Sequence, residues 1–319
     1  MSLNKRMVMM KTIDFNCEIP TREAIEIQNR EFPDYMHNYL RIFGPRIASA
    51  LGINPEEYAS MLKKRDFGKI LEKIGDLRSS LSKSLEEFIS LLKSINIVHA
   101  VVNHKDNAYT AEVVSKYPEH FSGYAQVDVH KGASAVKSLE EAVRSMGLCG
   151  LYLSPFMDNL HPNHRRYYPL YSKCIELGIP VSIHCSMHYA TGRSTDFSRP
   201  IYLDDVAMDF PELTLIARLG GWPWVQELIG LALKHPSIYI NIASHRPRYL
   251  GTSGTGWESL LHFGQNLLKE RILFGSAWMT LGMSLQEVYG EFEGLPINEE
   301  VKDLWRYRNA AQLLGKGNV

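Results

Sequence analysis

A histidine at the end of an apolar run is the residue of this chain best placed for chemistry. The segment IPVSIHCSMH carries His184 where Val and Ile give way to polar residues. Asn16 and Glu18 follow another apolar run near the start of the chain. A histidine and a carboxylate that follow buried strands can act as acid and base, or can bind a metal ion. Glu18 and His184 are therefore the first candidates for catalysis.

Arg218 ends a third apolar run, in LTLIARLGG. Its guanidinium stays charged and cannot bind a metal, and burying it unpaired would be very costly. Arg218 therefore needs an anion, and two alternatives are open: an ion pair with Glu18, or the carboxylate of a substrate. His245 and Arg246, which follow the run IYINIAS, are further candidates for binding an anionic substrate.

Apolar runs of this kind recur along the whole chain and alternate with segments of helical spacing. Runs rich in Val, Ile and Leu without strict alternation are typical of strands buried on both faces of a parallel sheet. Eight such strands alternating with helices predict an α/β fold, a closed (β/α)8 TIM barrel, whose active site lies at the C-terminal ends of the strands. The predicted strands lie in MVMMKTIDF, INIVHAVVN, FSGYAQVDV, GLCGLYLSP, IPVSIHCSMH, LTLIARLGG, IYINIAS and RILFGSAW.

Residues 19–94 separate the first predicted strand from the second, which is far more than one helix requires. Apolar residues from Ile70 to Leu92 recur near helical spacing, so the later part predicts amphipathic helices. We therefore predict a single domain, 1–319, with a helical insertion at 19–94. The insertion is expected to cover the barrel mouth as a lid, to form a dimer surface, or to pack as a helical hairpin on the barrel flank.

Composition excludes several classes of partner. The 35 basic and 35 acidic residues cancel, which argues against binding to nucleic acid or to an anionic membrane. The sequence also has no apolar stretch of about 18 residues, the length that a membrane span requires. The four cysteines show no CxxC spacing, which favours free thiols in a reducing compartment. We expect a cytoplasmic protein whose partner is a small molecule.

Several segments, taken together and in order, resemble the amidohydrolase-related (amidohydrolase 2) family, which includes aminocarboxymuconate-semialdehyde decarboxylase and γ-resorcylate decarboxylase. The resemblance covers nearly the whole chain. It implies a TIM-barrel enzyme, a homodimer, with one divalent metal, commonly Zn or Mn, at the C-terminal ends of the strands. The segments that carry it are TIDFNCEIP, GLCGLYLSP, YYPLYSKCIELGIPVSIHCS, PELTLIARLGGWPWVQELIGLALKHPSIYINIAS, ERILFGSAWM and RNAAQLLG.

The metal motif that the resemblance implies is degenerate in this chain. The family pattern has an HxH or ExH pair after the first strand, a histidine on each of strands five and six, and an aspartate on strand eight. Here the pair reads Asn16 and Glu18, His184 is kept, and Arg218 and Ala277 occupy the last two positions. Glu18, His184 and Asn16 are thus the remaining candidate ligands, and a rebuilt centre and a metal-free site are both open.

The residues and the resemblance together predict a hydrolase or decarboxylase of a small carboxylic acid or ester, with an altered or absent metal. In this interpretation His184 and Glu18 handle protons or bind a metal. Arg218, Arg246 and His245 bind the anionic substrate. The alternative is a catalytically inactive barrel that serves as a ligand-binding or assembly module.

Overall fold

A computed structural model of the chain describes residues 10–29 and 32–316. The described residues form eight parallel strands that pair in chain order, as the TIM barrel predicted from the sequence requires. Residues 7–9 of the first predicted strand lie outside the described residues. The strands are β1 (Thr12–Asp14), β2 (Ile97–Val102), β3 (Phe121–Ala125), β4 (Gly150–Leu153), β5 (Val181–His184), β6 (Leu215–Arg218), β7 (Ile238–Asn241) and β8 (Ile272–Leu273).

Helices follow every strand of the described chain. The segment between β1 and β2 contains α1 (Arg22–Asn29), α2 (Asn38–Ile42), α3 (Gly44–Ala50), α4 (Pro55–Lys63), α5 (Phe67–Ser80) and α6 (Leu85–Ser94). The later connections contain α7 (Asn107–Lys116), α8 (Ala133–Arg144), α9 (Pro155–Asp158), α10 (Tyr168–Leu177), α11 (Leu203–Asp209), α12 (Val225–Lys234) and α13 (Glu258–Gly264). After β8 come α14 (Trp278–Leu281), α15 (Leu285–Glu293), α16 (Glu299–Asp303) and α17 (Asn309–Leu313). Among the described helices, none is long and apolar enough to cross a lipid bilayer.

Both faces of the strands are buried, which explains why the apolar runs do not alternate with polar residues. On β6, Leu215 and Ala217 pack in the layer between the barrel and its outer helices. Ile216, between them, packs inside the barrel with Ile13 and Phe15. A strand covered on two sides buries every residue, so its sequence reads as a continuous apolar run.

The insertion between β1 and β2 has two structural parts. Its last helix, α6, belongs to the helical layer of the barrel, where Phe88 and Leu92 pack with Ile97 of β2. The helices α2 to α5 instead have a small core of their own. That core consists of the buried residues Leu40, Ala48, Ile53, Tyr58, Met61, Ile70 and Ile74.

The barrel is closed by backbone hydrogen bonds between the end of β1 and the segment after β8. The Phe15 N–H donates to the Phe274 carbonyl at 2.9 Å, and the Ala277 N–H donates to the Asn16 carbonyl at 2.9 Å. These bonds place the first and last strands side by side. Residues that are about 260 positions apart in the chain thereby become neighbours at the barrel mouth.

A buried carboxylate reinforces this closure. Asp14 is completely buried at the end of β1. Its Oδ1 accepts the backbone N–H of Ser276 at 2.9 Å and of Asn16 at 3.1 Å, and its Oδ2 accepts the Ser276 hydroxyl at 2.5 Å. Burial raises the pKa of Asp14, and the bonds from Ser276 and Asn16 oppose that rise. Asp14 therefore fixes the strand ends that carry Asn16 and Ala277.

We expect Asp14→Ala to lower the free energy of unfolding by about 3 kcal/mol, because three donors would lose their buried acceptor. Urea denaturation followed by circular dichroism measures the change. Asp34→Ala removes an exposed carboxylate and is the matched control, with an expected change within about 0.5 kcal/mol. Equal losses in the two variants would contradict the role given to Asp14.

Candidate active site

A pocket of about 310 Å³ lies at the C-terminal ends of the strands, and we call it the mouth pocket. Every strand of the barrel contributes to it, directly or through the residues that follow it. The residues from the strand ends are Asn16, Cys17, Glu18, Asn103, His104, Lys105, Gln126, Tyr152, Phe156, Met157, His184, Arg218, Leu219, Ser244, Ala277 and Thr280. The insertion adds Ile19, Ala24, Ile27, Gln28, Met36 and Tyr39. The early part of the insertion thus lies over the mouth, as a lid would, while α6 packs on the flank.

The Arg218 guanidinium lies in this pocket and binds neutral groups. Its Nη1 donates to Asn103 Oδ1 at 2.8 Å, and its Nη2 donates to Asn16 Oδ1. The guanidinium carbon lies 4.4 Å from the centre of the Tyr152 ring, a cation–π contact. Burial lowers the pKa of Arg218, but a guanidinium keeps its proton at neutral pH. The pocket therefore contains a cation that is hydrogen-bonded to two uncharged amides.

The Glu18 carboxylate is bound on the opposite side, by Thr280. Its Oε2 accepts the Thr280 N–H at 2.8 Å, and its Oε1 accepts the Thr280 hydroxyl at 2.6 Å. The indole N–H of Trp278 donates to the Glu18 carbonyl at 2.9 Å. Glu18 is one of the two partners expected for Arg218. Its carboxylate acts on the guanidinium only through a longer-range electrostatic attraction, which raises the pKa of Arg218.

His184, a site residue predicted from the sequence, ends β5 and lines the mouth pocket. Its Nδ1 is 3.1 Å from the Ser198 hydroxyl, and its ring meets Phe156 edge-on at 4.7 Å. Burial, with the nearby His188 and Arg218, lowers the pKa of His184 to about 3. The imidazole is therefore neutral at pH 7, where it can hydrogen-bond a substrate but is not a cationic acid.

Tyr39 is a pocket residue that the sequence did not single out. It lies on α2 of the insertion, and its ring packs edge-on against Tyr189 at a centroid distance of 5.6 Å. Burial raises the pKa of Tyr39, so its hydroxyl stays protonated at neutral pH. The aromatic residues in the early part of the insertion were the only sequence signal that could have indicated it.

His245 and Arg246, predicted to bind substrate, are placed elsewhere. Arg246 forms an ion pair with Glu291, with Nε 2.9 Å from Oε1. His245 packs edge-on against Trp257 at 4.8 Å. Both follow Ser244, which lines the mouth pocket and has a positive φ of 60°. Neither residue is among those that line the mouth pocket.

The donor set at the mouth does not fit a divalent metal. Asn16 Oδ1 is already bound to the Arg218 guanidinium, both Glu18 oxygens are bound to Thr280, and Ala277 offers no donor. A metal ion beside the Arg218 cation would also be repelled. Within residues 10–29 and 32–316, no group of three or more His, Cys, Asp or Glu side chains could hold a metal ion.

Comparison with known proteins identifies the family. An amidohydrolase family model matches residues 83–316, most of the chain. The chain belongs to the amidohydrolase family. The resemblance inferred from its segments is therefore confirmed, although the match begins after β1 and excludes Asn16 and Glu18.

One curated relative is 2-keto-4-carboxy-3-hexenedioate hydratase from Sphingobium sp.. The match is 31% identical over 156 aligned positions, and it covers 41% of this chain and 46% of the hydratase. The match thus spans about half the length of that relative.

Solved structures share the barrel fold of this chain. An uncharacterized TIM-barrel protein from Bordetella bronchiseptica has a TM-score of 0.69 and 25% identity, over 97% of this chain and 100% of that one. A dihydroxybenzoic acid decarboxylase from Polaromonas sp., with bound manganese and the inhibitor 2-nitroresorcinol, has a TM-score of 0.63 and 15% identity, over 98% of each chain. At 15% identity, this structural similarity shows a shared fold and does not show a shared function.

We expect the chain, purified without chelators, to contain far less than one metal ion, as measured by elemental analysis. The double variant Arg218→His/Ala277→Asp introduces the histidine and the aspartate that the resemblance implies at these positions. It should gain Mn or Zn, because it removes the cation and adds two ligands. Arg165→His/Ser115→Asp makes matched changes at exposed positions and should gain none.

The opposite result would be near-stoichiometric metal in the parent that both Glu18→Gln and His184→Ala abolish. That result would establish a rebuilt metal centre and contradict the interpretation of the donor set.

Proposed function

We propose that this amidohydrolase-family chain decarboxylates a small organic acid, without a divalent metal, and that Arg218 holds an anionic group of the substrate. The observation that carries the proposal is the Arg218 guanidinium in the mouth pocket, with neutral amides as its hydrogen-bond partners. A buried cation of this kind is stabilised when an anionic ligand binds beside it.

The size and charge of the mouth pocket support a small anionic substrate. Its volume of about 310 Å³ is at the lower end of the range of ligand pockets, roughly 300–1,000 Å³. The charged residues that line it are Arg218, Lys105 and Glu18, so cations exceed carboxylates. Such a pocket attracts an anion and has room for a ring or a short chain.

The anionic group bound by Arg218 cannot be the carboxylate that leaves. That carboxylate loses its charge as it becomes CO2, so a cation bound to it would stabilise the ground state more than the transition state. Arg218 would instead bind a second carboxylate, or the oxygen on which charge collects as the bond breaks. We therefore expect a dicarboxylic, keto or hydroxyaromatic acid as substrate.

The reaction needs one proton donor. The bond between the substrate carbon and its carboxylate carbon breaks, CO2 leaves, and the electron pair stays on the substrate carbon, which then takes a proton. We assign the proton to the hydroxyl of Tyr39, a pocket residue that is protonated at neutral pH. Tyr39 recovers its proton from solvent. The neutral His184 imidazole would hydrogen-bond the substrate.

Two relatives support an acid as substrate. The names of the Sphingobium hydratase and of the Polaromonas decarboxylase both denote reactions of carboxylic acids. Ester hydrolysis, the other reaction expected from the sequence, needs an activated water. Ala277 stands where the resemblance implies an aspartate that would activate this water. The remaining donors do not fit a metal either, so we favour decarboxylation.

The test is CO2 release from a panel of small dicarboxylic, keto and hydroxyaromatic acids, with a chelator present throughout. For an acid that the parent decarboxylates, Arg218→Met should lower kcat/KM by about a hundredfold, because it removes the donors to the developing charge. Arg218→Lys should keep part of the activity, since the charge remains but the forked geometry is lost. Arg165→Met, at an exposed position, is the control with unchanged activity.

Two outcomes would contradict the proposal. Acids that bind in calorimetry but release no CO2 would identify a ligand-binding barrel, the alternative that the sequence left open. Full activity in a correctly folded Arg218→Met variant would show that the anion is held elsewhere.

A further inference from the structure

A second cavity, of about 670 Å³, lies beside the mouth pocket, and we call it the outer cavity. The insertion forms one side of it, and the chain after β8 forms the other. The residues that line it are Pro20, Ile25, Arg46, Ile47, Ser49, Ala50, Leu51, Arg78, Leu81, Lys83, Arg246, Trp278, Met279, Gly282, Met283, Ser284 and Glu287.

The helix α14 is a wall between the two cavities. Thr280 lines the mouth pocket and binds the Glu18 carboxylate. Trp278 and Met279, the residues just before it, line the outer cavity. The α14 wall is therefore in contact with the proposed active site on one side and with the outer cavity on the other.

Two arginines of the insertion meet at this wall. Arg46 Nη1 donates to the Leu281 carbonyl at 3.2 Å, and Arg78 Nη2 donates to the Met279 carbonyl at 2.8 Å. Both guanidiniums are therefore held at the backbone of α14, and both arginines line the outer cavity. Burial lowers the pKa of Arg78, and the attraction of Glu18 across the wall raises it.

The carboxylates near the outer cavity are engaged by other groups. Glu287 accepts hydrogen bonds from the N–H and hydroxyl of Ser284, which together cap α15. Glu291 is paired with Arg246. The arginines of the α14 wall therefore give this side of the cavity an excess of fixed positive charge.

Apart from these two arginines and from Ser49, Lys83, Arg246, Ser284 and Glu287, the residues that line the outer cavity are apolar. Ile47, Leu51, Trp278 and Met283 line it, and the side chain of Leu81 is 60% exposed. An apolar trough that ends at two fixed guanidiniums matches a ligand with an apolar body and one anionic head.

We propose that the outer cavity is a second ligand site, which binds an apolar monocarboxylate. The carboxylate would bind Arg78 and Arg46, and the apolar body would lie along Leu51, Leu81 and Met283. The site is independent of the reaction proposed for the mouth pocket. The tight fit of α3 against α14 preorganises it, because a Cβ at Gly282 would lie 2.7 Å from the Ile47 nitrogen.

The probe for this site is the fluorescent aryl sulfonate ANS, with decanoate as the competing carboxylate. We expect one ANS per chain, displaced by decanoate but not by inorganic phosphate, which has no apolar body. Arg78→Met should weaken ANS binding by about tenfold or more, as for the loss of a charge-assisted hydrogen bond. Arg165→Met and Arg218→Met should bind ANS as the parent does.

A second variant keeps the test valid if Arg78→Met fails to fold. Ser49→Trp fills the outer cavity from an exposed position and should also abolish ANS binding, whereas Ser115→Trp, exposed on α7, should not. Loss of binding in Arg218→Met alone would place ANS in the mouth pocket and overturn the proposal. Unchanged binding in every variant would show adventitious surface binding, and displacement by phosphate but not decanoate would indicate a different ligand class. Each of these outcomes overturns the proposal.

Discussion

The arrangement of the barrel mouth depends on a buried guanidinium. Arg218 cannot lose its charge, so the strand ends around it must supply acceptors and an aromatic face. Asn16 after β1, Asn103 after β2 and Tyr152 of β4 do so from three different strands. The cation therefore links strand ends across the barrel.

The position of Glu18 follows from this constraint. Asn16 accepts a hydrogen bond from the Arg218 guanidinium, and the Glu18 carboxylate accepts one from Thr280 of α14. Asp14 makes both contacts possible, because its bonds to Ser276 hold the end of β8 against the end of β1. Asp14 and Glu18, four residues apart, thus have different roles. The buried Asp14 holds the barrel closed, and Glu18 lines the mouth pocket.

The sequence predicted the barrel because strands that are buried on both faces consist of continuous apolar runs. It also brought Glu18, His184 and Arg218 to one pocket, since all three follow parallel strands. It could not predict Thr280 or Tyr39 as site residues, because their positions depend on barrel closure and on the packing of the insertion. The pairing of Arg246 with Glu291 likewise leaves no local signal in the sequence.

The floor and the roof of the mouth pocket come from different parts of the chain. Its floor consists of strand ends, where a substitution disturbs the barrel itself. Its roof consists of residues between Ile19 and Tyr39, which lie before the part of the chain that the family model matches. Substitutions in the roof can therefore change the shape of the pocket without disturbing the strand ends that carry its charged floor.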